Sequence, residues 1–299
     1  QIICKWFSDA EKIGPLPIDN NFKCSVPDEY GNSSDELFSE IESLIYSSFN
    51  PVHPGSLAHL DPPPLIISIL GDLIAAGLNN NLLANELSPS ISLLEESICN
   101  WFTKKLGFSE SAGGIAASGG TLSNLNALVA ARQNAGLESD SNAAFLISED
   151  AHSSFIKCAQ IMGLNKNNLV RVKTDINGCM DIINLKQTIE ECSKEDKKIF
   201  SIVATLGTTI RGAIDPIDKI GDICKENGIW LHIDGSIGGI FAITSIPAYS
   251  TRNIYNANSI TINPQKILGI TKTSSLLLVS DIDILKRTFA TGLPYVNSN

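Results

Sequence analysis

Basic charge is in short supply in this chain. Its 22 Lys and Arg are outnumbered by 32 Asp and Glu, which leaves a formal net charge of −10 and a pI near 4.9. Nucleic acid is bound through concentrated positive patches. Here Lys and Arg are scattered, and their densest groups, Lys104-Lys105 and Lys194 to Lys198, read as solvated helix faces and ends. Nucleic acid is therefore not expected as a partner. Long apolar runs are missing as well: the most apolar stretch, 64–78, is too short to span a bilayer and carries Asp72. The N-terminal QIICKWFSDAEKIGP has no basic-then-apolar signal pattern, so we expect a soluble protein without a membrane partner. Nor is there any CxxC pair. The seven cysteines (4, 24, 99, 158, 179, 192 and 224) are odd in number, which suggests neither a disulfide framework nor a metal site. That pattern fits a reducing, cytoplasmic setting with most of these Cys as small core residues. The chain does not open on Met and stops at TGLPYVNSN without a closing helix or strand pattern, so we expect a fragment at both ends.

What is present suffices for a large core: 299 residues, 43% of them hydrophobic. Residues 1–60 read as a helical and extended segment, with Pro15 and Pro17 in a loop and an amphipathic helix over 34–47 that puts Leu37, Ile41, Leu44 and Ile45 on one face. The Pro-rich HPGSLAHLDPPP must be extended or turning. Helices are expected over 64–78 and 89–106, the second capped by Ser88 ahead of Pro89. From Gly113 the texture becomes an alternation of β-rich runs, AAFLISE (143–149), NLVRVK (168–173), IFSIVATLG (199–207), IWLHID (229–234), SITIN (259–263) and SSLLLVS (274–280). Helical patterns separate most of them, at 122–134, 153–162, 184–192 and 216–227. Several runs are apolar throughout, as strands covered on both faces should be. The expectation is an α/β fold, a mostly parallel central sheet flanked by helices, with the large domain over 61–285 and the start of a C-terminal region at 286–299.

In such a sheet ligands bind beyond the carboxyl ends of the strands. Four features gather there. SGGTLSN (118–124) places Gly119, Gly120 and Thr121 at a helix start, where backbone N–H groups and the helix dipole favour an anion; the plain alternative is a helix cap by Ser118 or Thr121. His152 follows AAFLISE and can stack on a planar group or shuttle protons, or simply cap the next helix. Lys266, in NPQKILG, is either a turn lysine or an amine whose partly desolvated setting lets it form an imine. Asp234 ends an apolar strand, and a buried carboxylate needs a cation or hydrogen-bond donors. Pyridoxal 5'-phosphate asks for all four: a phosphate cradle, a lysine, a carboxylate beside the pyridine nitrogen, and something flat against the ring.

The motifs HP (53–54), SPSISLLEESICNW (88–101), SGGTLSNLNALVAAR (118–132), SEDAHSSFIKCAQIMG (148–163), VATLGTTIRGAIDPI (203–217), WLHIDGSIGG (230–239) and NPQKILG (263–269) together resemble the pyridoxal-phosphate-dependent amino-acid decarboxylases, a family that includes aromatic amino-acid, glutamate and 2,4-diaminobutyrate decarboxylases. They occur in the family's order, from about residue 50 to 280. The resemblance implies a fold type I large domain, decarboxylation of an L-amino acid to its amine, and a homodimer with the active site at its interface. It implies that Lys266 forms the Schiff base, Asp234 pairs with the pyridine nitrogen and His152 stacks on the ring. Gly119, Gly120 and Thr121 would hold the phosphate with help from Asn263, Thr209 would lie near the ring hydroxyl, and Tyr295 falls where the family carries a mobile-loop proton donor. Departures are Gln265, where the family has His before the lysine, Ser236 for an alanine under the ring, and Ile237 for an aromatic residue. Those last two changes point at the substrate more than at the cofactor. An acidic substrate would want an arginine, and only Arg211 and Arg252 lie in segments next to the site. Competing readings are another reaction on this fold, by an aldehyde-lyase or aminotransferase, and a non-catalytic dimerisation homologue.

Overall fold

The computed structural model describes residues 1–16, 26, 29–57, 60, 62–246 and 253–290. Its chain divides into two compact units, Gln1–Leu65 and Ile66–Asn299. The first holds α1 (Ile2–Ser8), α2 (Ala10–Ile13) and α3 (Ser34–Tyr46). Trp6 and Ala10 are buried there, and the Asn50 amide donates to the Trp6 carbonyl at 3.1 Å. α3 begins with a capping box: Glu36 N–H donates to Ser33 Oγ (3.3 Å), and Ser33 N–H donates to the Glu36 carboxylate (2.8 Å). No residue of α3 is buried, so the apolar face expected there stays exposed or half-exposed.

The second unit contains the sheet. Among the described residues its strands are β1 (Gly113–Ala117), β2 (Ala143–Ser148), β3 (Leu169–Val172), β4 (Lys198–Thr205), β5 (Trp230–Asp234), β6 (Ser259–Ile262) and β7 (Ser275–Val279), in the order β1-β7-β6-β5-β4-β2-β3. β7 runs antiparallel to both its neighbours, β1 and β6, and every other pair is parallel. The helices are α4 (Ile66–Leu78), α5 (Pro89–Lys105), α6 (Gly120–Asn134), α7 (Ser154–Ile161), α8 (Ile182–Lys194), α9 (Ile217–Asn227), α10 (Gly238–Ala242), α11 (Pro264–Ile267) and α12 (Ile282–Phe289). All six expected strands are present. None of these helices is long and apolar enough to cross a membrane.

Side chains alternate across the strands and so build two different layers. On one face Phe145, Ile147, Val203 and Trp230 cluster with Leu128 of α6 and Phe155 of α7, while Leu277 and Val279 meet Ala127 of α6 and Leu285 of α12. On the other face Leu146, Ile202, Leu231, Ile233, Ile260 and Leu278 form one cluster with residues of α5, α8 and α9. Cys99, Cys158, Cys192 and Cys224 are core residues, as expected. Burial pushes the Cys99, Cys158 and Cys224 thiols up to about 12, which leaves them unreactive at neutral pH.

Two local expectations need correction. Ser88 stands at the cap position of α5, but its hydroxyl is buried and makes no cap bond; the Ser88 carbonyl accepts from Ser92 N–H instead. β1 was not expected at all, because its GGIAA sequence lacks the β-branched texture of the other strands. Packing accounts for it: a Cβ on Gly114 would collide with the Leu277 carbonyl and the Leu278 side chain of β7. Gly114→Ala is expected to lower stability by about 1–3 kcal/mol, the usual range for overpacking a tight contact. Urea unfolding of both proteins would measure it, and an unchanged midpoint would refute the close approach.

Candidate functional site

The carboxyl ends of β1, β2, β4, β5 and β6 open on one cavity of about 150 Å³. Its wall includes Gly120, Thr121 and Asn124 from α6, His152 after β2, Thr205, Gly207 and Thr209 from the end of β4, Asp234, Ser236 and Ile237 from the end of β5, and Asn263 and Lys266 after β6. Of the residues singled out from the sequence, Gly119 and Gln265 are not in this wall, while Tyr295 and Arg252 lie outside the described residues. Asn124, Thr205 and Gly207 were not anticipated.

α6 enters the site without a side-chain cap. Its N-cap is Gly119, at φ 150° and ψ 162°, a conformation that only glycine adopts readily, so neither Ser118 nor Thr121 fills that role. The helix N-terminus, with its unpaired N–H groups and positive dipole end, therefore starts in the cavity wall. Gly120 keeps this entrance narrow and free of side chain: an added Cβ would lie 2.8 Å from Asn263 Nδ2 and 3.1 Å from Ser236 Oγ. The Asn263 amide is oriented from behind by Ser275, whose Oγ donates to Asn263 Oδ1 at 2.6 Å. Thr205 Oγ1 is buried and has no hydrogen-bond partner among the described residues. A bare helix start, an aimed amide and an orphaned hydroxyl fit a polar, anionic ligand.

Asp234 is 5% exposed. Its Oδ1 accepts from Ser236 Oγ (2.6 Å) and Ser236 N–H (3.2 Å), and its Oδ2 accepts from Asn124 Nδ2 (3.3 Å). Behind Asn124 stands His232, fully buried, with Nε2 3.1 Å from Asn124 Oδ1 and Nδ1 2.8 Å from Ser259 Oγ. Burial pushes the His232 imidazole down to about 4, against the opposing pull of the Asp234 charge, so the ring is neutral. The sequence reading passed over His232 because it sits inside an apolar strand. The signal was there in the W-x-H-x-D spacing, which puts Trp230, His232 and Asp234 on one face of β5.

His152 is exposed at the cavity. It lines the wall, and its Nδ1 accepts from Ser154 N–H at 3.2 Å in the first turn of α7. Lys266 is half-buried in the short α11, with its N–H donating to the Asn263 carbonyl at 3.0 Å. The side chain of Gln265 points its oxygen at Ser274 N–H (2.6 Å). Arg211 pairs with Asp150 at 3.4 Å rather than lining the cavity. Beneath the site the wholly buried Asp215 joins the end of β4 to the 174–181 loop: its oxygens accept from Thr205 N–H (2.7 Å) and Met180 N–H (2.6 Å). Burial nevertheless pushes its carboxyl up to about 6.

Comparison with known proteins agrees with this geometry. Residues 17–299 match the family described as the pyridoxal-dependent decarboxylase conserved domain. The chain is 30% identical over 292 residues to an aromatic-L-amino-acid decarboxylase of Bacillus atrophaeus, covering 97% of this chain and 60% of that protein. It is 29% identical over 280 residues to an L-aspartate decarboxylase of Metarhizium robertsii, covering 91% of this chain and 56% of that protein. It therefore spans somewhat over half the length of these curated relatives. Among solved structures, the glutamate decarboxylase domain of a Vibrio parahaemolyticus protein, described as diaminobutyrate-pyruvate transaminase and L-2,4-diaminobutyrate decarboxylase, superposes with a TM-score of 0.89 at 26% identity, covering 97% of this chain and 66% of that one.

Asp215 gives the site floor a pH dependence of defined sign. Its folded pKa is raised, so its stabilising share is complete below the unfolded value near 3.8 and is lost as pH rises through about 6. The advantage of wild type over Asp215→Asn should shrink by up to about 3 kcal/mol between pH 4 and 6 and stay level above that. Denaturant unfolding across this range measures the difference; a gap that widens with pH would reverse the assignment.

Proposed function

Because the chain belongs to the pyridoxal-dependent decarboxylase family, we propose that it is the cofactor-binding part of an enzyme that removes the α-carboxylate of an L-amino acid as carbon dioxide. The observation that carries this reading is the meeting of an amine (Lys266), a buried carboxylate (Asp234), an imidazole (His152) and an uncapped helix start around one cavity. Pyridoxal phosphate, when bound, supplies an aldehyde that condenses with amines and a cationic ring that takes up the electron pair released at Cα. The residues of the chain then have distinct tasks. Gly119, Gly120 and Thr121 would receive the phosphate on backbone N–H groups and the helix dipole, with the Asn263 amide beside them. Lys266 would hold the aldehyde and yield it to the amine of the substrate. Asp234 would pair with the ring nitrogen and keep it protonated, and His152 would lie against the ring. With Nδ1 engaged by Ser154 N–H, Nε2 is the nitrogen through which His152 would pass a proton to the substrate carbon; Tyr295 is the other proposed donor. Thr209, in the cavity wall, would lie near the ring hydroxyl. Ser236 would act on the cofactor through Asp234, and Gln265 through the turn it holds at Ser274. A reducing, cytoplasmic compartment belongs to the same reading and is supported by the burial of Cys99, Cys158, Cys192 and Cys224 as core thiols.

The reading also includes a homodimer, with two copies of this chain meeting near their sites. α4 supports it: IISILGDLIAAGL is apolar apart from Ser68 and Asp72, yet Ile66, Ile67, Leu73 and Ile74 are each more than 60% exposed and no residue of the helix is buried. A helix of this composition belongs in an interior or against a partner. Leu93, Leu94 and Trp101 of α5 add further exposed apolar surface.

Two measurements test these proposals. Purified protein mixed with pyridoxal phosphate should develop a bound-cofactor absorbance band, and borohydride should fix the cofactor to the peptide containing Lys266. Lys266→Ala should lose both, while wild type releases carbon dioxide from at least one L-amino acid. Fixation to another lysine would reject the assignment, and transfer of the amino group without carbon dioxide would favour an aminotransferase. For the dimer, sedimentation should give twice the chain mass for wild type and the single mass for Ile74→Glu; a wild-type monomer with cofactor bound would refute α4 as the interface.

A further inference from the structure

The hydrogen bonds behind Asp234 run in one direction. Trp230 Nε1, which can only donate, gives its proton to Ser259 Oγ at 2.8 Å. The carbonyl Oδ1 of Asn124 can only accept, so His232 Nε2 carries the ring proton and His232 Nδ1 must accept from the Ser259 hydroxyl. Asn124 cannot be turned around, since its oxygen would then face the Asp234 carboxylate in place of the donating Nδ2. The result is a chain of donors, Trp230 to Ser259 to His232 to Asn124 to Asp234, every member 5% exposed or less. Its parts are placed by the sheet: residues 230, 232 and 234 share one face of β5, Ser259 is the partner of His232 on β6, and Asn124 comes down from α6. Hydrogen bonds in such a chain polarise one another, and all of them point towards one carboxylate.

We infer that His232 is a positioning residue for the cofactor chemistry: by donating to Asn124 Oδ1 it fixes which end of that amide meets Asp234, and so keeps the carboxylate supplied with a donor and in one orientation. The inference rests on the proposed role of Asp234 towards the ring nitrogen. His232 is not in the cavity wall and touches neither cofactor nor substrate in this scheme. The competing account is a histidine that merely satisfies Ser259 and fills the core beside Phe155, whose ring lies edge-on at 6.4 Å. The two accounts differ in which nitrogen matters. Positioning needs Nε2; satisfaction of Ser259 needs Nδ1.

Two variants separate those nitrogens. His232→Gln places an amide N–H close to where Nε2 stood and keeps the link to Asn124. His232→Asn keeps a polar group near Nδ1 but does not reach Asn124. In protein loaded with ¹⁵N-labelled pyridoxal phosphate, the ring nitrogen should read as protonated in wild type and in His232→Gln, with cofactor affinity within about twofold. In His232→Asn it should shift towards the unprotonated value, with affinity about tenfold lower or worse, the scale seen when an outer partner of a ligating group is removed. The opposite ranking, or identical spectra in both variants, would overturn the inference. If wild type takes up no cofactor, the reading of the site has failed instead. The relay is then judged in the unloaded protein by two NMR signals. One is the His232 ring, expected as the Nε2–H tautomer; the other is the Asn124 side-chain amide, expected to exchange slowly in wild type and His232→Gln and quickly in His232→Asn. An Nδ1–H ring, or an amide indifferent to both variants, refutes the relay, and the wild-type tautomer decides the matter even should either variant fail to fold.

Discussion

An ionised carboxylate withdrawn from water costs several kcal/mol unless donors replace the lost hydration, and much of the structure around the cavity can be read as the means by which Asp234 is supplied with them. Ser236 serves one oxygen and Asn124 the other. Asn124 needs a partner for its own carbonyl and finds His232, which in turn needs one for Nδ1 and finds Ser259. Each buried polar group thus creates the demand that the next one meets. The sequence ends at Trp230, an indole that donates and has nothing to accept, so the network closes without a leftover lone donor.

This demand explains why the two faces of the sheet differ. On the face away from α6 the positions between these residues are Leu231, Ile233, Ile260 and Ile262, all in one apolar cluster. On the α6 face the same two strands present Trp230, His232, Asp234, Ser259 and Thr261, and α6 answers with Ser123 and Asn124. Ser123 Oγ is 2.8 Å from Thr261 Oγ1 and donates to the Leu276 carbonyl at 3.1 Å. The first half of α6 is thereby pinned to the sheet by polar contacts and its second half by Leu128 and Ala131. An anion placed on this helix end, as proposed, would meet a start that is already fixed. Hydrogen bonds at the start and close packing further along supply that rigidity.

The sequence made the sheet legible because strands covered on both faces read as unbroken apolar runs, and the site legible because polar residues of unusual type end those runs: Asp234, Lys266, His152. What escaped has a common physical cause. β1 owes its place to a close approach that only glycine permits, and Gly114 carries no apolar signal of its own. Asn124 is a mid-helix polar residue, which by periodicity alone is assigned to solvent. His232 lies between Leu231 and Ile233, so the run around it reads as core, which it is. The positioning role inferred for it follows from its neighbours in space, one on another strand and one on a helix about a hundred residues earlier in the chain. Pairing of that kind is fixed by register and helix placement, and no local window contains it.

Ser236 shows how the fold reassigns a departure that the sequence alone points elsewhere. Where relatives in the resemblance carry alanine, a hydroxyl was expected to bear on the substrate. In the structure that hydroxyl turns back two residues and donates to Asp234 Oδ1 at 2.6 Å, in the short range of charge-assisted bonds, with the Ser236 N–H on the same oxygen. A side chain so engaged has no proton left for a substrate. It adds a donor to the carboxylate that the relay already serves, from the cavity side as Asn124 does from the buried side. Alanine at this position would leave Oδ1 with only the backbone N–H. On the proposed reading the substitution therefore acts on the cofactor half of the chemistry, through Asp234, and the substrate-facing novelty of the DGSIGG segment reduces to Ile237 in the cavity wall.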